Sequence, residues 1–541
     1  MNPTSAANAR ARAPLPEQVD HAVVGAGLGG LVTAAYLARA GRRVAVFDSH
    51  YVAGGCATMF TRRGEGGRYH FDVGLHYIGD CADGGIIPAI LRDFGLDLKF
   101  RPMDPEGFDT LVFPDFRFKI PASVDLYRER LVAMFPREKR GIDTYVRLLR
   151  EVDQLTRRLE KTAGRPTWAL LWHLLTSGRL AAKYKGRTIG EFLSAHTRDP
   201  KLRAVILGQS GDYGLPPSKV SALLHVGLAN HYFRGAYYPV GGGQAIADAL
   251  AAYIEAHGGS VHLRTPVEQI LVRDGRATGV RVAPRNGPAV EIPAALGVVS
   301  NADLKRTILE LLDPAVVPGP LAERVRGLEM AAAIFMTFLG VRGDLRARGM
   351  SDTNYWSFDG YDFEEFYATA AVASPETIRG SYITSASLKD PDTPTHAPAG
   401  MSTVEIMALV PGDLRPWAVE PSEVDRWQYK KSAAYLERKQ RIEDSLVARF
   451  DRLFPGVAAD IVYRESATPV THARFTRATG GTGYGIAATP GQFLQNRPGY
   501  RGPVAGLYLC GASTRAGHGV LGAMMSGQAA SKRVLGDSVG G

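Results

Sequence analysis

His21-Ala22-Val23-Val24-Gly25-Ala26-Gly27-Leu28-Gly29-Gly30, continued by Leu31 to Ala40 and then Arg43 to Asp48, reads as a strand, a tight turn, a helix and a second strand. Gly25, Gly27 and Gly30 stand in G-x-G-x-x-G spacing. That spacing lets the backbone turn sharply, approach a pyrophosphate with no Cβ in the way, and pack the helix closely on the sheet. Open N–H groups at the helix start would face the phosphates. Val44-Ala45-Val46-Phe47 supplies a buried second strand. Asp48, at its carboxyl end, is placed to accept hydrogen bonds from both ribose hydroxyls, and an acid there disfavours a 2′-phosphate. A glycine-rich turn alone is ordinary punctuation. With strand, helix and acid all in place, the stretch predicts a Rossmann-like α/β unit that holds a dinucleotide.

The 541 residues around it are too many for one core, so two or three domains are expected. Hydrophobic content of 45% and charged content of 22% describe a folded globular chain. Cys56, Cys81 and Cys510 show no C-x-x-C spacing, which suggests neither a disulfide framework nor a metal site and fits a reducing compartment. The net charge of +10 is dispersed arginine without interleaved aromatics. A nucleic-acid partner is not expected from that pattern, and an anionic membrane surface suits it better. Residues 1–19 have no apolar h-region and read as a disordered lead-in, and no run of 18 apolar residues predicts a membrane span. The expected location is cytoplasmic, with peripheral contact to the inner face of the cytoplasmic membrane left open.

Past Asp48, Gly54-Gly55 again lets backbone approach a cofactor, and Tyr69 to Gly79 reads as a strand entering a glycine-punctuated loop. Strict alternation there puts Phe71, Val73 and Leu75 on one face and Asp72, Gly74 and His76 on the other. Residues 121–234 are helical in pattern. Within them Thr167 to Leu175, with Trp168 and Trp172 and a trailing basic cluster, reads equally as a headgroup-lying helix or a core helix. Residues 235–310 return to α/β character, with a helix over Ala245–His257 and short strands that include Val267–Val272, Val290–Ile292 and a last one near Val298. Residues 311–464 form a second mixed segment. Gly506 to Gly527 is once more strand, glycine turn and helix. A helix start near Val520 would stabilise an anionic reduced flavin, and this second, remote cofactor contact points to FAD over NAD.

The assembled motifs resemble the flavoprotein family of phytoene desaturases, carotenoid isomerases and retinol saturases, from about Asp20 to Leu535. Val298 to Asp303 is similar to the family's V-S-N-A-D, Thr468-Pro469 with Thr471, Gly480 and Tyr484-Gly485 to its T-P-x-T and G-x-x-Y-G, and Gly506 to Ser513 to its G-L-Y-L-C-G-A-S. Gly54-Gly55-Cys56 and Phe71 to Gly79 look most like the retinol-saturase branch, whereas the C-terminal motif is closer to bacterial desaturase-like members. The resemblance implies an α/β fold: an FAD-binding domain in three segments (20–120, 235–310, 465–541), a helical, membrane-contacting insert (121–234) and an α+β substrate domain (311–464). It implies FAD contacts from Gly25, Gly27, Gly30, Asp48, Gly54, Gly55, Val267, Gly511, Ala512 and Val520, with Val267 acting through its backbone beside the adenine.

The implied chemistry is hydride transfer at flavin N5 on a C–C or C=C bond of an apolar polyene or isoprenoid lipid, with a proton leaving or joining the neighbouring carbon. His76 and Tyr77 are the candidates for that proton, ahead of His231, Tyr232 and Tyr237; a histidine in a glycine-rich loop can also serve structure alone. Arg515 either supports flavin charge or faces solvent. Cys56 and Cys510 read as packing residues, and the electron partner is not encoded. Three other readings stay open: a redox-neutral isomerase, a flavin amine oxidase with a lysine-assisted site, and a non-catalytic prenyl-protein carrier of the GDP-dissociation-inhibitor kind.

Overall fold

A computed structural model describes residues 14–161 and 178–539, apart from positions 286, 373 and 426. The Thr167–Leu175 stretch and residues 1–13 of the lead-in lie outside the described residues.

The opening motif folds as read. Strand Val19–Val24 runs into Gly25, whose φ of +96° a side chain would strain, and helix Leu28–Arg39 follows directly. Strand Val44–Phe47 pairs parallel with the first strand, and Ser260–His262 pairs parallel with Val44–Phe47. On the other side lies Val290–Ser300, one long strand where the sequence suggests two short ones. Its first half pairs antiparallel with Arg276–Val282; its second half pairs parallel with Val19–Val24 and with Leu507–Leu509. Gly297, at φ +138°, marks the change, and a Cβ there would lie 2.3 Å from the Gly506 carbonyl oxygen. One seven-stranded sheet is thus drawn from three distant stretches of chain.

Helix Leu28–Arg39 is buried from Leu28 to Ala38 because it is covered on both sides. The sheet lies under it and the last helix, Gly519–Val539, crosses over it so closely that a Cβ on Gly527 would sit 2.4 Å from the Gly29 carbonyl oxygen. Thr33 uses its hydroxyl to bond both the Gly29 and Gly527 carbonyls at this crossing.

A second seven-stranded sheet runs in the order Ile461–Ala467, Ala333–Arg342, Met401–Val410, Gly380–Thr384, Asn354–Phe358, Asp109–Val112, Arg117–Ile120. Asp109–Val112 and Arg117–Ile120, expected in the first FAD segment, belong here instead: Asp109–Val112 pairs parallel with Asn354–Phe358. Period-two alternation divides this sheet cleanly. Phe335, Leu339, Val341, Val404 and Ile406 pack with Leu446 and Phe450 of helix Ala433–Leu453. Met336, Phe338, Trp356, Tyr382 and Met407 face the other way, into the cluster built with the helices of residues 124–233. Among the described residues no helix is long and apolar enough to cross a membrane.

Candidate active site

The two glycine turns meet around one side chain. Asn301, just past the long strand, donates its backbone N–H to Val24 O at 2.8 Å. Its amide lies where Cβ atoms of the turns would be: 2.7 Å from one on Gly27, 2.6 Å from one on Gly29 and 2.8 Å from one on Gly511. A Cβ on Gly30 would lie 2.2 Å from the Gly25 carbonyl oxygen. Gly54 donates its N–H to Ala26 O at 2.7 Å, and a Cβ on Gly55 would touch the Gly27 Cα at 3.0 Å. Helix Leu28–Arg39 has no side-chain cap and no acid in its first turn, so its N–H groups and partial positive charge are open to an anion.

Asp48 accepts from the Ala26 N–H at 2.6 Å and the His50 N–H at 2.7 Å, which fixes the carboxylate at the strand end and leaves it lone pairs for further donors. Val267 opens strand Val267–Arg273, with its side chain buried against Val24 and Phe47; the Thr265 N–H, two residues earlier, bonds the Asp48 carbonyl at 2.7 Å. The Gly511 N–H is held by Ser526 Oγ at 2.7 Å. Ala512 is tied by its carbonyl to Arg497, a fully buried guanidinium that also holds the Ile486 and Gln492 carbonyls. Burial draws Arg497 down to about 10, which leaves it charged at neutral pH. Val520 stands in the first turn of the last helix, which again carries no acid there. Gly25, Gly27, Gly30 and Gly511 thus gather at Asn301, Gly54, Gly55 and Asp48 lie beside the first helix start, Ala512 follows Gly511 and Val520 opens the last helix, whereas Val267 is not brought to Asn301; the donor set fits an extended dinucleotide with a flavin. Asn301 and Arg497 were not singled out in the sequence, although Asn301 lies inside a motif that was.

Beyond the glycines opens a cavity of about 430 Å³. Its wall takes in Gly55, Gly517 and Val520 together with Phe60, Leu228, Met336, Phe338, Phe358 and Met407. The second sheet supplies its floor.

His76, Tyr77, His231, Tyr232 and His518 all line this cavity, whereas Tyr237 does not. The strand ends at Asp72, so the alternation expected for Phe71 to His76 fails: Leu75, His76 and Tyr77 are buried in succession. Both ring nitrogens of His76 are buried without a hydrogen-bond partner, as is Nδ1 of His231 and of His518. Orphaned polar atoms around one cavity are the mark of a site built for a bound group. Burial, with Lys389 nearby, pulls His76 down to about 3, so it is neutral at physiological pH rather than a titrating group. Lys389, the buried lysine of this region, points away from the cavity: its ammonium donates to the His76 carbonyl at 2.5 Å and to Thr384 Oγ1. Arg515 is exposed. Cys56 approaches His472 Nε2 at 3.5 Å and is held as a thiol, pushed up to about 11 by burial.

Comparison with known proteins gives the class. A family model described as flavin containing amine oxidoreductase matches residues 28–535. The chain belongs to this family. Its membership makes it an FAD-dependent oxidoreductase, in agreement with the cradle around Asn301. Among other flavin oxidoreductases it is 30% identical over 490 residues to an all-trans-retinol 13,14-reductase of Rattus norvegicus, covering 87% of this chain and 78% of the other. It is 25% identical over 531 residues to a chloroplastic prolycopene isomerase of an Oncidium hybrid cultivar, covering 96% and 84%. A solved putrescine oxidase bound to putrescine shares the fold at a TM-score of 0.60 and 19% identity, covering 96% and 99%. These relatives match the family resemblance and, within it, the retinol-saturase branch read from Gly54-Gly55-Cys56 and Phe71 to Gly79.

Proposed function

We propose that this flavin oxidoreductase reduces a C=C bond of an apolar polyene or isoprenoid lipid. The observation that carries the reading is the cavity: a wall rich in Phe, Leu, Met and Ile side chains that also takes in Gly517 and the helix start at Gly519–Val520. Such a wall stabilises an elongated apolar molecule by removing it from water, at about 25 cal/mol per Å² of apolar surface covered. The similarity to retinol 13,14-reductases supports the direction. FAD, when bound, supplies the hydride donor or acceptor. The chain's own part is to hold the cofactor on the Gly25–Gly30, Gly54–Gly55 and Gly511–Ala512 turns, to keep water from the reacting bond with the Met336–Phe338 floor, and to manage the accompanying proton.

Isomerisation without net redox change is the second reading, favoured by the match to prolycopene isomerase along almost the whole chain. An amine oxidase reading is weakened by Lys389, whose ammonium is committed to the His76 carbonyl and Thr384. The deciding experiment incubates FAD-loaded enzyme with polyenes, retinoids and unsaturated isoprenoids in both redox states and reads product mass. A gain of two hydrogens is expected; a loss means desaturation, and unchanged mass with altered absorbance means isomerisation. Hydrogen peroxide released on addition of amines, with no polyene product, would overturn the proposal. Peripheral contact with anionic membrane is part of the same proposal, since a free polyene is nearly insoluble; salt-sensitive co-sedimentation with phosphatidylserine vesicles is its test.

A further inference from the structure

Tyr77 stands between two acids. Its phenol oxygen is 2.7 Å from Asp212 Oδ2 and 3.2 Å from Asp109 Oδ2. A phenol carries one hydrogen, so two ionised carboxylates at these distances would leave one contact between facing lone pairs in a buried site. Both contacts become hydrogen bonds only when one acid carries a proton. The surroundings say which. Asp109, with no exposed surface, accepts from Asn354 Nδ2 at 2.8 Å, Gln209 Nε2 at 2.8 Å and Trp356 Nε1 at 3.1 Å, the donor set of a carboxylate. Asp212 has no such N–H donors; its hydrogen-bonding partners are the hydroxyls of Tyr77 and Tyr232, and it lines the cavity. Proton-bearing Asp212 donates to Tyr77, and Tyr77 donates to Asp109.

The fold builds this arrangement from far-separated pieces. Parallel pairing of Asp109 with Asn354 sets the amide against the carboxylate. The 3₁₀ turn Ser210–Asp212 is seated on Trp356, and Gly211 is required there because a Cβ would meet the indole at 2.4 Å. Tyr232 stacks on Tyr77, with centroids 4.3 Å apart and planes at 5°, and closes the other side.

We infer that Asp212 is the proton donor of this site, held neutral through Tyr77 by the fixed carboxylate of Asp109. The inference rests on the polyene reading. In the saturating direction the reduced flavin, when bound, would supply a hydride, with both electrons, to one carbon of the C=C bond. The Asp212 O–H bond breaks, its proton joins the neighbouring carbon, and Asp212 is left as a carboxylate. A proton from water restores it, and an external two-electron donor restores the reduced flavin. Burial and Asp109 push Asp212 up to about 8, whereas Asp109, despite its burial, reaches about 6 because four donors hold its charge. The other titratable groups facing Asp212 are Tyr77, Tyr213, Tyr232, Tyr367, Tyr382 and Tyr484, all raised by burial, and His518, lowered to about 3. Lys389 acts on the Asp109 side. From pH 5 to 9 the two acids are the titrating groups in contact with Tyr77, and Lys389, lowered to about 8 by burial, titrates beyond Asp109.

The test compares FAD-loaded native protein with Asp212→Asn by infrared difference spectroscopy. Other buried acids, such as Glu405, cancel. A protonated-carboxyl stretch is expected in native minus variant at pH 7, fading as pH passes about 8, and fading at lower pH in an Asp109→Asn background. Turnover of a reducible polyene should fall at least a hundredfold in Asp212→Asn with FAD occupancy unchanged, the size usual for loss of a general acid. If Asp212→Asn fails to fold, Tyr77→Phe keeps both acids, and a shifted band with at least tenfold slower turnover supports the relay equally. No difference band at pH 7, or turnover within threefold of native in Asp212→Asn, overturns the inference. A band that behaves as described in an enzyme converting no polyene supports the stored proton and overturns the substrate reading instead.

Discussion

A carboxyl buried beside another carboxyl gives stability a pH dependence of definite sign. Asp212 rises to about 8 and Asp109 to about 6 in the folded chain, against about 3.9 in an unfolded one. Between those values the folded state binds more protons at these two groups than the unfolded state, so their contribution to stability is full below about pH 4 and is lost as pH rises to about 8. Asp212→Asn should lose less melting temperature than native protein between pH 5 and 8.5; identical losses would show that Asp212 ionises normally. His76 behaves oppositely. Already neutral, it can orient a bound group through a ring nitrogen but cannot supply a limb of the pH profile. His76→Ala is expected to keep FAD, lower turnover at least tenfold and leave the shape of the pH–rate curve unchanged; a lost limb would restore His76 as an acid–base group.

At the scale of elements, the glycine turns are intolerant in proportion to what sits behind them. Gly30→Ala would place a methyl 2.2 Å from the Gly25 carbonyl oxygen, and relief requires backbone movement, at about 1–3 kcal/mol. Loss of FAD absorbance from the purified variant is expected, while Gly84→Ala, with open space around it, should remain yellow. Asn301→Ala removes the wedge between the turns, and weaker FAD retention on dialysis is the predicted outcome. These elements were legible in the sequence because glycine spacing records local backbone demands, as Gly25, Gly27, Gly30 and Gly511 show. The proton site was not. Asp109 belongs to no motif and falls within the 20–120 bounds of the first FAD segment, and its partners Gln209, Asp212, Asn354 and Trp356 come together only through a parallel pairing no local pattern announces. Alternation misled at Val73 for a related reason: the strand gave way to a loop fixed from outside by Lys389 on the His76 carbonyl and by His231 on the Gly79 N–H.

For the whole molecule, the cofactor cradle joins residues 25–55, Asn301 and 511–520, so bound FAD and global folding are linked. Ligand at a hundred times its dissociation constant adds about 2.7 kcal/mol. The melting temperature should climb with added FAD in native protein and hardly move in Asn301→Ala; a flat native response would mean the three segments hold together without the cofactor. The strand Leu507–Leu509 and the helix Gly519–Val539 complete the first sheet and cover Leu28–Arg39. During synthesis these pieces leave the ribosome after every other strand of the first sheet. Until they do, the nascent chain carries an uncovered helix face and an unpaired flank along Val298–Ser300, with no way to assemble its cofactor cradle. Ribosome-bound chains stopped before residue 507 are thus expected to depend on chaperones, and release from that dependence should coincide with the emergence of residues 507–539.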